Sequence, residues 1–285
     1  MTVPAYSRAF CEPQYNQGLN VPDRSASLAR RQELSARVRR ELRSTLDVPY
    51  GDSEKEHLDI YPAAGDRCPV MIFIHGGYWQ RYDKADVAFL AEPFVKAGVT
   101  FVSINYNLCP VVTLDRIVAE VRAACAWVWR HIAAHGGDRD RIFVSGNSAG
   151  GHLTAMMMAT DWSALDAGLP RDLLKGGIAI SGIYDLEPLL HTSINDAVRL
   201  DLDAARRNSP VALRPSTAAP LVIAVGALES PEFQRQTQLL AATWKSVPTR
   251  TLVIDGCHHF NILLGMAEPA NPLRHAALAL TGPAR

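Results

Sequence analysis

Ser148 is the residue whose surroundings favour the most demanding chemistry, because it lies in the segment Gly146-Asn147-Ser148-Ala149-Gly150. An apolar run, Arg141 to Val144, precedes this segment, and an apolar run typical of a helix follows it. Glycines two positions before and after the serine permit a sharp strand-to-helix turn, since a Cβ there would collide with neighbouring backbone. The spacing predicts a nucleophile elbow, with the hydroxyl raised at a helix N-terminus that favours developing negative charge. A glycine-rich turn in which the serine only caps the helix is the competing interpretation.

A second glycine-containing segment favours the nucleophile. Residues 69–79 read Pro-Val-Met-Ile-Phe-Ile-His-Gly-Gly-Tyr-Trp, an apolar strand that ends in a glycine pair. Such a loop is typical of an oxyanion hole, where small residues let an acyl oxygen come within about 3 Å of backbone nitrogens. We predict that the N–H groups of Gly77, Tyr78 and Ala149 form this hole. His75 is predicted to fix the loop by a local hydrogen bond rather than to act as a base.

A serine hydroxyl needs a base that accepts its proton and an acid that orients the base. In chains with a nucleophile elbow the order is nucleophile, acid, histidine. The candidates after the last two predicted strands are Glu229, Glu232, Asp255, His258 and His259. We choose Glu229 because Glu232 falls in the first turn of a helix and Asp255 shares a loop with the histidines. Spacing alone leaves the choice between the two histidines open, and it does not match a zinc motif, so no metal is expected.

The rest of the sequence predicts the elements that position these residues. Two short strands, 45–50 and 57–61, read as a hairpin, and apolar strands then alternate with helices. The further predicted elements are strands at 70–74, 100–105, 141–144, 177–180, 221–225 and 251–254, and helices at 84–96 and 114–132. This alternation predicts a single domain over residues 1–285 with a mostly parallel, doubly wound sheet, and the elbow together with the glycine loop favours the α/β-hydrolase arrangement of such a sheet. Sites in such sheets lie at the carboxyl ends of the strands, where the candidates above fall.

Two segments lie outside this alternation. Residues 1–44 are predicted to form an N-terminal helical extension, in which Ser25 to Leu42 is amphipathic with a basic, solvated outer face. Whether this helix belongs to a lid stays open. Residues 182–220 lack a clear strand and are predicted to cap the carboxyl edge of the sheet as a substrate-binding wall.

Composition limits the classes of partner. The 29 basic and 29 acidic side chains give a net charge of zero, which favours a small-molecule substrate over nucleic acid or an anionic membrane. The five cysteines are scattered without a C-x-x-C pair, and this predicts a reducing compartment rather than a disulfide framework. No signal peptide or membrane-spanning run is recognised, so a cytoplasmic location is expected. A homodimer is left open.

Several motifs are similar to those of kynurenine formamidases, also called arylformamidases, of the α/β-hydrolase superfamily. The segments that carry the resemblance are Leu46 to Gly51, Leu58 to Pro62, His75-Gly76-Gly77-Tyr78-Trp79, Glu229 to Phe233 and His259 to Ile262. The resemblance implies that His259 is the base, because a phenylalanine follows it. It also implies hydrolysis of N-formyl-L-kynurenine without a cofactor, as part of tryptophan catabolism. The chain departs from the family pattern at Asn147, Glu229 and His258.

The substrate wall is predicted from the residues that flank these motifs. Tyr78, Trp79 and Phe260 would supply an aromatic surface, and Asn147 borders the pocket. The same catalytic residues also suit a broad carboxylesterase or amidase that acts on small acyl groups. A binding module that keeps the scaffold without turnover is disfavoured, because each catalytic position holds a competent residue.

Overall fold

Eight strands form one sheet in the computed structural model, which describes residues 6–19 and 21–282. The strands are β1 (Thr45–Pro49), β2 (His57–Tyr61), β3 (Cys68–Ile74), β4 (Thr100–Ile104), β5 (Gly137–Asn147), β6 (Leu174–Ile180), β7 (Leu221–Gly226) and β8 (Thr249–Ile254). Their order across the sheet is β1-β2-β4-β3-β5-β6-β7-β8. The β1–β2 and β2–β4 pairs are antiparallel, and the other pairs are parallel.

The helices cover the sheet and follow the strands in the predicted alternation. They are α1 (Arg8–Tyr15), α2 (Arg24–Glu41), α3 (Ala91–Lys96), α4 (Leu114–His131), α5 (Ala149–Met158), α6 (Trp162–Leu165), α7 (Asn195–Val198), α8 (Leu202–Arg207), α9 (Pro231–Thr243), α10 (Ile262–Ala267) and α11 (Pro272–Thr281). Short 3-10 helices occupy Gln17–Leu19, Lys84–Leu90, Ile132–His135, Glu187–His191 and Pro210–Ala212. The mostly parallel α/β-hydrolase sheet predicted from the sequence is confirmed.

The strand β3 shows why the central strands are apolar at every position. Side chains alternate between the two faces of a strand, so a strand that is covered on both faces needs apolar residues throughout. Val70 and Ile72 pack in one core layer with α4 and α5, whereas Met71 and Phe73 pack in the other layer with α3 and α11. The strand is buried along its whole length. Its carboxyl end is therefore held rigidly beneath the glycine pair.

The predicted helix over 84–96 is two elements in the structure. Asp83 caps the 3-10 helix: its Oδ1 accepts from the backbone N–H of Ala85 at 3.1 Å, and its own N–H donates to Asp86. Pro93 has no N–H and could not donate to the carbonyl of Phe89 in a continuous helix. Pro93 falls instead in the first turn of α3, where that donor is not needed.

The N-terminal extension lies against the loops at the carboxyl edge of the sheet. The carboxylate of Glu12 accepts hydrogen bonds from the backbone N–H and the hydroxyl of Ser193. The hydroxyl of Ser230 donates to the carbonyl of Gln14 at 2.6 Å, and Tyr15 donates to Glu232 at 2.6 Å. Residues 1–5 and 20 of the predicted extension, and residues 283–285, lie outside the described residues.

Within residues 6–19 and 21–282, none of the helices combines the length and apolar character needed to cross a membrane.

Candidate active site

Ser148 lies between β5 and α5 with φ 60° and ψ −118°, a conformation that a non-glycine residue rarely adopts. Glycines beside it make the turn possible. A Cβ on Gly146 would lie 2.3 Å from the carbonyl oxygen of Gly150, and one on Gly150 would lie 2.0 Å from that of Ile74. The Ser148 hydroxyl makes no capping bond to the helix that follows, so the capping interpretation does not describe this serine. The turn has the geometry of a nucleophile elbow.

Three side chains that are far apart in the sequence form a hydrogen-bonded series. Nε2 of His259 lies 3.0 Å from Oγ of Ser148, and Nδ1 of the same ring lies 2.6 Å from Oε2 of Glu229. All three residues are buried. Ser148 follows β5, Glu229 follows β7 and His259 follows β8, so parallel strands deliver them to one edge of the sheet. The structure therefore brings together the serine, acid and histidine that the sequence singled out.

Glu229 is fixed by two further donors. Its Oε1 accepts from the backbone N–H of Gly226 at 2.8 Å and from the hydroxyl of Ser181. Ser181 was missed at the sequence level, although it follows β6 directly and so reaches the same edge of the sheet. The ring of His259 lies edge-on to Phe233, with centroids 4.7 Å apart. These contacts hold the carboxylate and the imidazole in one orientation.

The other two acidic candidates, Glu232 and Asp255, form no hydrogen bond with His259. Glu232 accepts from Tyr15 at 2.6 Å and forms an ion pair with Arg235 at 2.9 Å. Asp255 is exposed on the loop after β8. Their positions leave Glu229 as the carboxylate that contacts His259.

The neighbouring histidine, His258, is also placed away from Ser148. Its Nδ1 accepts from the backbone N–H groups of Phe260 at 3.1 Å and Asn261 at 3.3 Å. Its Nε2 lies 3.0 Å from a carboxylate oxygen of Asp23, just before α2. His258 thus links the histidine loop to the N-terminal extension.

The glycine loop lies directly against the serine. A Cβ on Gly76 would lie 2.7 Å from the carbonyl oxygen of Asn147 and 3.2 Å from Cβ of Ser148, so only glycine allows this approach. The backbone N–H groups of the three predicted oxyanion residues, Gly77, Tyr78 and Ala149, form no hydrogen bond to another described residue. Among the described residues these three donors have no partner, and Gly77 and Tyr78 line the same cavity as Ser148.

His75 fixes this loop, as the sequence predicted. Its Nδ1 lies 2.8 Å from the carbonyl oxygen of Gly76, and its Nε2 lies 3.1 Å from Oδ1 of Asn105. The ring stacks on Tyr106 with centroids 4.3 Å apart. Burial lowers the pKa of His75 and so disfavours the charged imidazole.

A cavity with about 610 Å³ of empty space, part of it open to solvent, lies over Ser148. Its lining residues are Asn16, Gln17, Gly18, Arg24, Arg31, Gly76, Gly77, Tyr78, Arg81, Tyr82, Asn147, Ser148, His259 and Phe260. Of the predicted substrate wall, Tyr78, Asn147 and Phe260 line the cavity.

Trp79 departs from that prediction. Its side chain is fully buried in the core and lies edge-on to His152, with centroids 5.0 Å apart. The positive φ angles of Tyr78 and Trp79 turn the chain after the glycine pair, so that successive side chains do not face the same space. Trp79 therefore supports the loop from below and is not part of the cavity wall.

The segment over 182–220 also differs from its predicted role. None of its residues lines the cavity over Ser148. The N-terminal extension, through Asn16 to Gly18 and two arginines of α2, lies over the cavity instead, and residues 182–220 hold that extension through Ser193. The sequence could not place this contact because it joins residues 181 positions apart.

Metal ligands were also sought in the described part of the chain. Within residues 6–19 and 21–282, no group of three or more His, Cys, Asp or Glu side chains is arranged to hold a metal ion.

The parallel sheet, the elbow and the hydrogen-bonded series at its carboxyl edge define the class of this protein as an enzyme of the α/β-hydrolase superfamily. A family model described as BD-FAE matches residues 58–186. A solved structure from Silicibacter sp. tm1040, provisionally described as a thioesterase, superposes with a TM-score of 0.82 at 28% identity. That superposition covers 95% of this chain and 98% of the other.

Comparison with curated sequences is more specific. Kynurenine formamidase of Danio rerio is 35% identical, over 97% of this chain and 97% of its own length. Kynurenine formamidase of Salmo salar is 32% identical, over 96% of this chain and 95% of its own length. The chain belongs to the kynurenine formamidase family, as the motifs predicted.

Proposed function

We propose that this protein hydrolyses N-formyl arylamines, with N-formyl-L-kynurenine as its substrate and kynurenine and formate as its products. The observation that carries the proposal is the series from Ser148 through His259 to Glu229 at the base of a cavity, in a chain related over its full length to kynurenine formamidases. The rings of Tyr78, Tyr82 and Phe260 give this cavity an aromatic lining that suits an aryl group.

The geometry supports acyl transfer through a covalent intermediate. Oγ of Ser148 attacks the formyl carbon while Nε2 of His259 accepts the hydroxyl proton. Glu229 holds the imidazole and stabilises its charged form. The N–H groups of Gly77, Tyr78 and Ala149 donate to the oxyanion that develops.

Collapse of the tetrahedral intermediate needs an acid because an anilide anion is a poor leaving group. His259 returns its proton to the amine nitrogen, and the arylamine leaves a formyl-serine. Water then enters, His259 accepts its proton, and a second collapse releases formate and restores Ser148. Each proton moves between one imidazole nitrogen and the reacting atoms.

A comparison of substrates on the purified protein tests this proposal. We expect kcat/KM for N-formyl-L-kynurenine to equal or exceed that for phenyl acetate, and Ser148→Ala to abolish both activities. A preference for the ester by several orders of magnitude would instead assign the protein to the broad carboxylesterases, which use the same residues.

A further inference from the structure

Three arginines line the cavity over Ser148, and its lining contains no aspartate or glutamate. Arg24 and Arg31 come from α2, and Arg81 comes from the loop after β3. An excess of guanidinium groups without acidic side chains gives the cavity a positive electrostatic potential, which favours an anionic ligand. The net charge of the whole chain is zero, so this local excess of positive charge cannot be recognised from composition.

Arg31 is the most informative of the three, because it is buried. Only 7% of its surface is exposed, and its Nε has no hydrogen-bond partner. Arg31 forms no ion pair or hydrogen bond with a carboxylate in the described chain: Asp86 attracts it only at longer range, and that carboxylate already accepts the N–H of Asp83 at 2.9 Å. A buried charge without a partner is costly, so its counterion is expected from outside the chain.

Other arginines of the same helix show what an ordinary structural role looks like. Arg30 pairs with Glu33 at 2.7 Å, Arg37 pairs with Glu92, and Arg39 pairs with Asp59. Each of these has a protein carboxylate, whereas Arg31 faces the cavity. The sequence suggested a solvated basic face for the whole helix, and that interpretation does not hold for Arg31.

The neighbouring arginines extend the same surface. The guanidinium of Arg24 lies 5.2 Å from the centroid of the Phe260 ring, within the range of a cation–π contact. Gly18 leaves room for it, since a Cβ there would lie 2.4 Å from Nη1 of Arg24. Arg81 is exposed and lies at the rim. An entering anion would therefore meet the exposed Arg81 and the half-buried Arg24 before it reaches the buried Arg31.

We infer that Arg31, assisted by Arg24 and Arg81, binds a carboxylate of the substrate while the formyl group lies at Ser148. A guanidinium binds a carboxylate through two parallel N–H···O bonds, which fixes orientation as well as position. This inference rests on the proposed function and narrows the substrate class to N-formyl arylamines that carry a free carboxylate. Arg31 thus determines specificity rather than rate of bond cleavage.

Two substrates and three variants test the role of Arg31. N-formyl-L-kynurenine carries the carboxylate, and 2-formamidoacetophenone keeps the formanilide and the ketone without it. We expect Arg31→Met to lower kcat/KM about 10²-fold for the first substrate and less than three-fold for the second. Arg31→Lys keeps the charge without the planar fork and should recover part of this loss. Arg30→Met, the matched control on the exposed face, should leave both values unchanged.

Stability separates binding from a structural role. Arg31→Met removes a buried, unpaired charge, so its melting temperature should equal or exceed that of the unsubstituted protein. Equal losses of kcat/KM on both substrates, or no loss on either, would overturn the inference. A lower melting temperature together with equal losses would identify Arg31 as structural.

A second pair of substrates keeps the inference separate from the proposed function. If neither formanilide is cleaved, the proposed function fails, and 4-acetoxybenzoate and phenyl acetate replace them. If Arg31→Met then lowers kcat/KM for 4-acetoxybenzoate but not for phenyl acetate, the proposed carboxylate site is supported. An equal change in kcat/KM for the two esters would overturn the proposed carboxylate site.

Discussion

The wall of the cavity that carries Ser148 and the wall formed by α2 differ in how their polar groups are satisfied. At the first wall His259, Glu229 and Ser181 are linked by hydrogen bonds within the protein. At the second, Arg31 is buried, and its guanidinium forms no ion pair or hydrogen bond with a described residue. The difference suggests that the reacting groups are oriented before the substrate arrives, whereas the binding groups are completed by it.

Removal of the nucleophile tests the first wall most severely. We expect Ser148→Ala to lower kcat on the order of 10⁶-fold, since Ser148 supplies the one hydroxyl within residues 6–19 and 21–282 that is hydrogen-bonded to His259. Ser145→Ala is a matched control, because Ser145 donates to the carbonyl of Ile178 in the sheet and should affect stability without abolishing turnover. Steady-state kinetics of both variants would measure this. Retention of more than a few per cent of kcat in Ser148→Ala would show that the first wall does not supply the nucleophile.

Loss of the orienting carboxylate should come next in size. We expect Glu229→Gln to lower kcat about 10⁴-fold, because the amide neither stabilises the charged imidazole nor selects its tautomer. Glu232→Gln is the control: it weakens contacts to Tyr15 and Arg235, so it should lower the melting temperature with less than a ten-fold change in kcat. Similar losses of kcat in the two variants would mean that the first wall does not depend on Glu229.

The two walls also differ in how far the sequence predicts them. Ser148, Glu229 and His259 follow apolar strands, and strand ends in a parallel sheet converge, so local patterns suffice to predict that they meet. The predicted amphipathic pattern does not describe α2, whose buried positions are Ser27, Arg31, Ser35 and Val38 rather than an apolar stripe. The choice of Arg31 between solvent and cavity therefore depends on how α2 docks. That docking uses long-range contacts such as the hydrogen bond from the N–H of Phe89 to Ser35, which no local pattern encodes. Trp79 was misplaced for a related reason, since the backbone turn after Gly77 sets its direction.

Ser181 donates to Glu229 at the first wall, and its removal should have a smaller effect than loss of Glu229 itself. Ser181→Ala should lower kcat about ten-fold with KM unchanged, since one hydrogen bond to a charged group is lost. The carboxylate of Glu229 would then have one donor fewer and would hold the imidazole of His259 in a less defined orientation, which affects turnover more than substrate binding. A change in KM alone, with kcat unchanged, would argue against a positioning role.

His152, a buried residue of α5, should make the free energy of unfolding depend on pH although it does not take part in the reaction. Burial lowers the pKa of His152 to about 4, and its Nε2 lies 2.7 Å from the carbonyl oxygen of Asn208. The unfolded chain therefore binds more protons than the native protein between pH 6.5 and pH 4, and stability falls as pH decreases through that range.

His152 should contribute about 2 kcal/mol to the decrease in unfolding free energy between pH 7.5 and pH 5. Urea titrations of the unsubstituted protein and of His152→Gln at both pH values would measure this contribution. The variant should show the smaller pH dependence. An identical pH dependence in the two proteins would contradict a neutral, buried His152.

Covalent labelling can show whether Ser148 is the nucleophile that His259 activates. The protein is treated with diisopropyl fluorophosphate, and the modified peptide is located by mass spectrometry. We predict one equivalent of label on Ser148, in parallel with loss of N-formyl-L-kynurenine hydrolysis, and much slower labelling of His259→Asn. Full inactivation with the label on another residue, or unchanged labelling in His259→Asn, would contradict the catalytic role of the Ser148–His259–Glu229 series.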